Sequence, residues 1–390
     1  MPLSFELTPK QEKLQAHASK FAEKWIAPRA AEIDGKNEVP ADLIERMYGK
    51  PYRYSSIYIP KKYGGTGLDM LTIYLITEEI AYANATCATL LEVPGITSMT
   101  ILNGGTEVQK KRFLPPLARG EKFFAFALSE PAAGTDAASI VTRAEKRGKE
   151  YVLNGRKHLI SFADIADFFV VFAKTDVTKG ARGISAFVVE KGTGGFTIGR
   201  EQFCMGMHGH RTWEISFKNC SVPRENLLGS EGEGFRYAMR TLDDTRATIS
   251  GIFVGLARAA LDVALKYANA RKTFGRKLAE HQFVSFSLAE VARNIDAARL
   301  LSYRACWLAD NGIAHKIETA MAKSLASEVV LKATDAAMEI LGGIGTTKEY
   351  PVERYYRDAR TFIFAQGSPE AQRMLIGRGL LKKLEASASP

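Results

Sequence analysis

Glu92 lies in Thr89-Leu90-Leu91-Glu92-Val93-Pro94-Gly95, within a nearly uncharged stretch between Ala81 and Leu102. A carboxylate desolvated among Leu and Val has its pKa raised toward the working range of a general base. The plainer alternative is a capped or partly exposed helix residue that only shapes a pocket. Leu128-Ser129-Glu130-Pro131-Ala132-Ala133-Gly134-Thr135 offers small hydroxyls and free backbone N–H groups in a tight loop, able to hydrogen-bond a ligand edge, or is a plain Pro-Gly turn. The planar fork of Arg271 suits the oxygens of a pyrophosphate, the alternative being a solvated charge at a helix end. Gly342, Gly343 and Gly345 permit close backbone approach. Met205-Gly-Met-His208-Gly-His210-Arg211 holds two imidazoles, each able to carry a proton near neutral pH, or else simply facing solvent in a loop. Gln366, in Phe364-Ala365-Gln366-Gly367, carries a neutral amide with no useful basicity near pH 7.

These residues need elements to hold them. Residues 1–118 read as helical: Thr8 caps a helix with Pro9 at its first position, and Leu14, Ala18, Phe21, Ala22 and Trp25 recur on one face. Gly64-Gly65-Thr66-Gly67 lacks the Lys-Ser/Thr and the preceding strand of a phosphate loop, so it reads as a turn. Between residues 119 and 230, short β-branched and aromatic runs are expected as strands: Lys122–Leu128, Ile140–Ala144, Tyr151–Leu153, Phe168–Ala173, Ile184–Val189 and Trp213–Phe217. Turn residues such as Asn154-Gly155 separate them with no helix between, which predicts an antiparallel barrel or sandwich. From 231 to 390 the helical period returns in four long segments, 232–267, 276–310, 314–342 and 367–384, the pattern of a four-helix bundle. The expected class is therefore α+β multidomain, ordered α, β, α.

The chain has 390 residues, 46% of them hydrophobic, enough for a well-buried core. Its formal charge of +10 favours anionic partners, yet the basic residues are spread among acids, which argues against nucleic acid. Apolar runs such as Phe168–Ala173 are too short to insert in a membrane. The N-terminus lacks a basic and then apolar leader, and Cys87, Cys204, Cys220 and Cys306 have no C-x-x-C spacing, so a reducing cytoplasm is expected. The tail Glu385-Ala-Ser-Ala-Ser-Pro390 is of low complexity and is expected to be disordered.

Five stretches occur in series: Phe126-Ala-Leu-Ser-Glu-Pro-Ala-Ala-Gly-Thr-Asp136; Asn154-Gly155-Arg156-Lys157; Ala270-Arg-Lys-Thr-Phe-Gly275 with His281-Gln282; Ile340-Leu-Gly-Gly-Ile-Gly345 with Tyr350-Pro-Val-Glu353; and Arg357-Asp358-Ala359-Arg360 leading to Phe364–Arg373. Together they resemble the FAD-dependent acyl-CoA dehydrogenases along nearly the whole chain. The resemblance implies FAD contacts by Phe126, Ser129, Thr135, Leu159, Ser161, Arg271, Phe274, Gln282, Glu339, Gly342, Gly343, Ser368 and Glu370, and acyl-CoA contacts by Thr135, Asp243, Arg246 and Gly367. In the family a Trp and a Thr cover the flavin where this chain has Leu159 and Ser161, and a Gln stands where it has Glu339. Gln366 occupies the place of the usual catalytic glutamate, and Thr245 the place of the alternative one. The helix corresponding to that of Glu92 lines the bottom of the family's acyl pocket, Asp243-Asp244-Thr245-Arg246 matches its CoA-contacting helix, and the His208–His210 loop approaches its active site.

A site without an α-carbon base can still bind and polarise a thioester. A 2-enoyl thioester has an acidic γ-proton, because its dienolate carries charge to the same oxygen. The pattern therefore resembles cyclohex-1-ene-1-carboxyl-CoA dehydrogenases, a branch thought to use an Asp near the place of Glu92. The expected reaction is 1,4-dehydrogenation of an alicyclic CoA thioester, with Glu92 as base and the Gln366 N–H polarising the carbonyl. The expected partners are an electron-transfer flavoprotein and three further copies in a homotetramer. The alternatives are a dehydrogenase for another aromatic-derived or dicarboxylic acyl-CoA, a flavin monooxygenase on the same fold, and a silent FAD- or CoA-binding subunit.

Overall fold

The computed structural model describes residues 6–388. Helix α1 (Pro9–Phe21) begins as its sequence predicts: Thr8 accepts from the Gln11 N–H in a capping box. A wider turn, Ala22–Ile26, leads into α2 (Ala30–Lys36) and α3 (Ala41–Tyr48). Next come α4 (Met70–Ala83), α5 (Ala85–Gly104) and α6 (Glu107–Ala118). The Gly64–Gly67 segment is a turn. The N–H groups of Gly64, Gly65, Thr66 and Gly67 all bond to backbone carbonyls between Ser56 and Lys61, and none is left for a phosphate.

Seven strands follow: β1 (Phe124–Ala127), β2 (Arg143–Arg147), β3 (Glu150–Ser161), β4 (Phe168–Lys174), β5 (Ile184–Glu190), β6 (Phe196–Glu201) and β7 (Thr212–Pro223). β4 pairs antiparallel with β5 along its whole length, while β2, β3, β7 and β6 form an antiparallel run, joined to β4 at Arg143–Lys174. Three features depart from expectation. β1 runs parallel to β4, because β2 and β3 intervene as the crossover. Asn154-Gly155 does not end a strand but bends β3: the register shifts there, and a Cβ on Gly155 would stand 2.4 Å from Thr142 Oγ1. β6 escaped detection because its alternating, half-exposed residues lack an apolar run.

The bundle comprises α7 (Gly234–Ala270), α8 (Gln282–Asp310), α9 (Lys316–Leu341) and α11 (Pro369–Ala388). A short hairpin, β8 (Lys272–Thr273) and β9 (Arg276–Lys277), precedes α8, and α10 (Val352–Phe362) precedes α11. The tail expected to be disordered continues α11 through Ala388, and Ser389-Pro390 lie outside the described residues. Helices α5 and α7 are long and apolar enough to cross a membrane, but 89% and 72% of those windows are buried. α7 packs against α9, α8, α4 and α5, so the first helices and the bundle share one core. Glycines allow that approach: a Cβ on Gly255 would lie 2.3 Å from the Glu78 carbonyl.

Candidate active site

Glu92 sits where α5 is interrupted. Pro94 has no N–H to give the Leu90 carbonyl, and the Tyr48 hydroxyl bonds that carbonyl instead at 2.8 Å. Gly95 makes room for the Tyr58 ring, which a Cβ would meet at 2.4 Å. Tyr58 can then place its hydroxyl 2.8 Å from Glu92 Oε1 and 2.7 Å from Thr248 Oγ1. Thr77 Oγ1 lies 3.2 Å from Oε1, and Thr248 Oγ1 3.2 Å from Oε2. Glu92 is only 3% exposed, which excludes the partly exposed alternative. Desolvation raises its pKa to about 7 against the lowering effect of hydrogen bonds from Tyr58, Thr248 and Thr77.

Gln366 follows the end of α10 and adopts a left-handed φ of 55°, rare for a residue with a side chain. Among the described residues its N–H finds no backbone acceptor. Its side-chain Oε1 accepts from Thr245 Oγ1 at 3.1 Å, and its carbonyl accepts from Arg246 Nε at 3.1 Å. Thr245 and Thr248 are one turn apart on α7, and the Thr248 hydroxyl lies 2.8 Å from the Thr245 carbonyl. Successive threonines on one face of α7 thus stand between the amide of Gln366 and the carboxyl of Glu92, linked to each other through the Thr245 carbonyl.

Gly367 bends with φ 102°, and a Cβ there would meet Gln372 Nε2 at 2.7 Å. Its carbonyl accepts from the buried Lys323 Nζ, which also bonds the Ile363 carbonyl. Burial lowers the pKa of this lysine to about 7. Lys323 carried no motif, and only its placement on a buried face of α9 reveals it. Arg246, expected to contact the acyl-CoA, is 6% exposed, ion-pairs with Asp243 at 2.7 Å and braces the Gln366 carbonyl.

Across the sheet, Ser129 is half-buried and Thr135 exposed, while the Phe126 ring packs on Phe172. Glu130, buried inside the loop, anchors it. Its carboxylate takes the Val141 and Thr142 N–H groups and pairs with the buried Lys157 at 2.7 Å. Desolvation works against the ionised Glu130, but the Lys157 ammonium prevails and holds its pKa below the usual value. Both residues lie inside quoted motifs, and an acid and a lysine at positions turned toward the core were the available signal.

Leu159 is 47% exposed at φ 54°, its N–H bonded to Gln202 Oε1. Ser161 Oγ lies 2.8 Å from His210 Nε2, and His210 Nδ1 lies 2.8 Å from Thr89 Oγ1 on α5. His210 is wedged between the Phe162 and Phe362 rings, and burial lowers its pKa to about 4. His208 bonds Asp34 and the Cys204 carbonyl. Neither imidazole faces solvent as the plainer reading expected, because aromatic packing and Asp34 draw the loop inward. Only His210 reaches a candidate site residue.

Of the remaining candidates, all but Ser368 and Glu370, which follow Gly367 near Lys323, gather at one end of the bundle. Leu278, Val284, Leu288, Ile340 and Leu341 join the hairpin, the start of α8 and the end of α9 in one apolar cluster. On it Arg271, Gln282, Glu339, Gly342 and Gly343 are exposed, and the Phe274 ring is 98% exposed. Ser368 accepts the Ala371 N–H at the start of α11, where Glu370 is exposed. The donor set fits FAD. The Arg271 guanidinium makes no ion pair among the described residues, Cβ atoms on Gly342 and Gly343 would meet nothing, and Phe274 offers a bare ring face for stacking.

A helical domain, a β domain and a helical bundle that shelter a buried carboxyl beside a strained loop form the frame of a flavin-dependent dehydrogenase. Comparison with known proteins gives the particular family. Three models match in order: acyl-CoA dehydrogenase N-terminal domain at residues 8–121, middle domain at 125–220 and C-terminal domain at 232–381. An acyl-CoA dehydrogenase of Bacillus subtilis is 41% identical over 376 residues, 96% of this chain and 99% of its own. A caffeyl-CoA reductase-Etf complex subunit of Acetobacterium woodii is 40% identical over 94% of this chain and 97% of its own. The structure of butyryl-CoA dehydrogenase from Megasphaera elsdenii superposes with a TM-score of 0.94 at 40% identity, covering 97% of this chain and all of that one. The chain belongs to the acyl-CoA dehydrogenase family, FAD-dependent oxidoreductases acting on CH–CH bonds of CoA thioesters, and its cofactor is FAD.

Proposed function

We propose that this enzyme oxidises an alicyclic 2-enoyl-CoA, of the cyclohexene-carboxyl type, by 1,4-elimination from Glu92. One observation carries the reading: Thr245 and Thr248, one turn apart on α7, touch Gln366 and Glu92 respectively, and Glu92 is a buried carboxyl with a pKa of about 7. The Gln366 amide cannot take the α-proton. Its unspent N–H supports polarisation of the thioester oxygen, so charge released at the γ-carbon is stabilised there. Glu92 takes the γ-proton, and Tyr58, Thr77 and Thr248 hold the carboxyl in place. Bound FAD would supply the hydride acceptor, so that loss of the proton at the γ-carbon and of a hydride at another ring carbon leaves a conjugated diene. Ser129, Thr135, Leu159 and Ser161 would border the flavin ring, and Asp243 and Gly367 the thioester.

The exposed rings of Phe274, Phe283 and Phe286 favour a homotetramer in which the cofactor's phosphate end meets a neighbouring copy. Likeness to a reductase-Etf complex subunit supports an electron-transfer flavoprotein as the redox partner, and four free cysteines suit the cytoplasm. That same likeness favours a second reading, reduction of an enoyl thioester in the reverse direction. Anaerobic mixing of the oxidised enzyme with cyclohexene-carboxyl-CoA, cyclohexane-carboxyl-CoA and a linear acyl-CoA tests the first reading. The cyclohexene thioester should bleach the flavin band; bleaching by the linear thioester alone overturns it. Reoxidation of reduced enzyme by an enoyl-CoA, with no bleaching by any of the three, supports the second.

A further inference from the structure

The hydrogen bonds around His210 have only one consistent set of directions. Thr89 Oγ1 lies 2.6 Å from the Thr86 carbonyl, which can only accept, so the single Thr89 proton goes there. Thr89 Oγ1 must then accept from His210 Nδ1–H at 2.8 Å. The ring is enclosed by Phe162 and Phe362, and burial keeps it neutral at ordinary pH. A neutral imidazole protonated on Nδ1 has a bare Nε2, and that nitrogen accepts the Ser161 hydroxyl proton at 2.8 Å. Ser161 has no other side-chain partner among the described residues. Its oxygen keeps only lone pairs for whatever lies at the open end of β3, beside the exposed Leu159.

We propose that His210 is a positioning residue: it locks the Ser161 hydroxyl as a hydrogen-bond acceptor and so favours the reduced form of the bound flavin over the oxidised form. This rests on the reading that Ser161 borders the flavin ring, and takes its hydroxyl to face the ring nitrogen that receives the hydride. The ring nitrogen that receives the hydride accepts hydrogen bonds when oxidised and donates one, as N–H, when reduced. A freely rotating serine would serve both forms. A serine whose proton is held by His210 serves only the reduced one, and it sets a lone pair against the oxidised one. The chain Thr86–Thr89–His210–Ser161 therefore connects α5, the helix that carries Glu92, to the electron affinity of the cofactor.

The test is the midpoint potential of the FAD-loaded enzyme, measured by equilibration with a reference dye during slow anaerobic reduction. It should be run on the wild type, His210→Ala, Ser161→Ala, the double variant and His210→Gln. The thermal unfolding midpoint and the visible flavin spectrum check that each variant is folded and loaded. His210→Ala frees the serine proton, and the equilibrium constant for two-electron reduction should fall about tenfold, a shift of ~30 mV to lower potential. Adding His210→Ala to Ser161→Ala should shift it no further. His210→Gln, whose amide offers one donor and one acceptor, should restore most of the wild-type value. If Ser161→Ala moves the potential but His210→Ala does not, or if His210→Ala acts equally in both backgrounds, the inference alone is overturned. If Ser161→Ala changes neither potential nor spectrum, Ser161 does not border the flavin, and the site reading and the inference fall together.

Discussion

Glu92 is surrounded by three hydroxyls, from Tyr58, Thr77 and Thr248, and among the described residues no cation pairs with it. Its raised pKa is therefore a burial effect only partly offset by hydrogen bonds. A base must be ionised to act, so kcat/KM should rise with pH through about 7 and level off above it, as a pH–rate profile will show. Glu92→Gln keeps the shape and removes the base, and kcat should fall by roughly 10²–10⁴-fold while CoA affinity persists. Stability should move the other way. A carboxyl whose folded pKa lies above its unfolded one binds its proton more firmly in the native state, so its contribution is whole below about 4.5 and is lost as pH rises through about 7. Between pH 5 and pH 8 the wild type should lose up to ~3 kcal/mol relative to Glu92→Gln, measurable by chemical denaturation at each pH. Gln366→Glu places a carboxylate where Thr245 already donates, and it should bring some ordinary α,β-dehydrogenation of a linear acyl-CoA. Recovery of none, by flavin bleaching, would remove Gln366 from the base position.

At the scale of elements, close approach of α4, α5 and α7 brings Glu92, Thr77 and Thr248 together. Gly255 lets α7 press on the Glu78 carbonyl, and Gly251 would put a Cβ 3.0 Å from the Tyr74 carbonyl. Backbone cannot yield as a side-chain tip can. Gly255→Ala should therefore cost ~1–3 kcal/mol of stability in chemical denaturation, in spite of alanine's better helix propensity. The helices themselves were legible as periodic apolar stripes, and α1 as a capping signal. β6 and the bend at Gly155 were not, because an edge strand needs no apolar run and a glycine in a strand reads as a turn until its neighbour Thr142 is known.

For the whole molecule, the ring of Phe274 is almost bare, beside Arg271, which has no ion pair among the described residues, and the open Gly342-Gly343 surface. The proposed tetramer and cofactor site give this aromatic its partner, a neighbouring copy or FAD. Phe274→Ser should weaken FAD binding about tenfold and shift the sedimentation profile toward smaller assemblies, while leaving the fold of the chain intact. If the profile and the FAD titration are both unchanged, this end of the bundle is not an interface.

The sequence by itself determined the order of helices, sheet and bundle, because periodicity and turn chemistry are local. It also marked Glu92, as an acid in an apolar run, and Gln366, through the resemblance that puts it in the place of the family's glutamate. Only the tertiary structure decided that Thr245 and Thr248 join these two residues, that Arg246 braces a carbonyl, and that His210 lies between Ser161 and Thr89. Those contacts span up to 156 residues of chain. They depend on which faces of which helices meet, and that is a property of packing that no local pattern encodes.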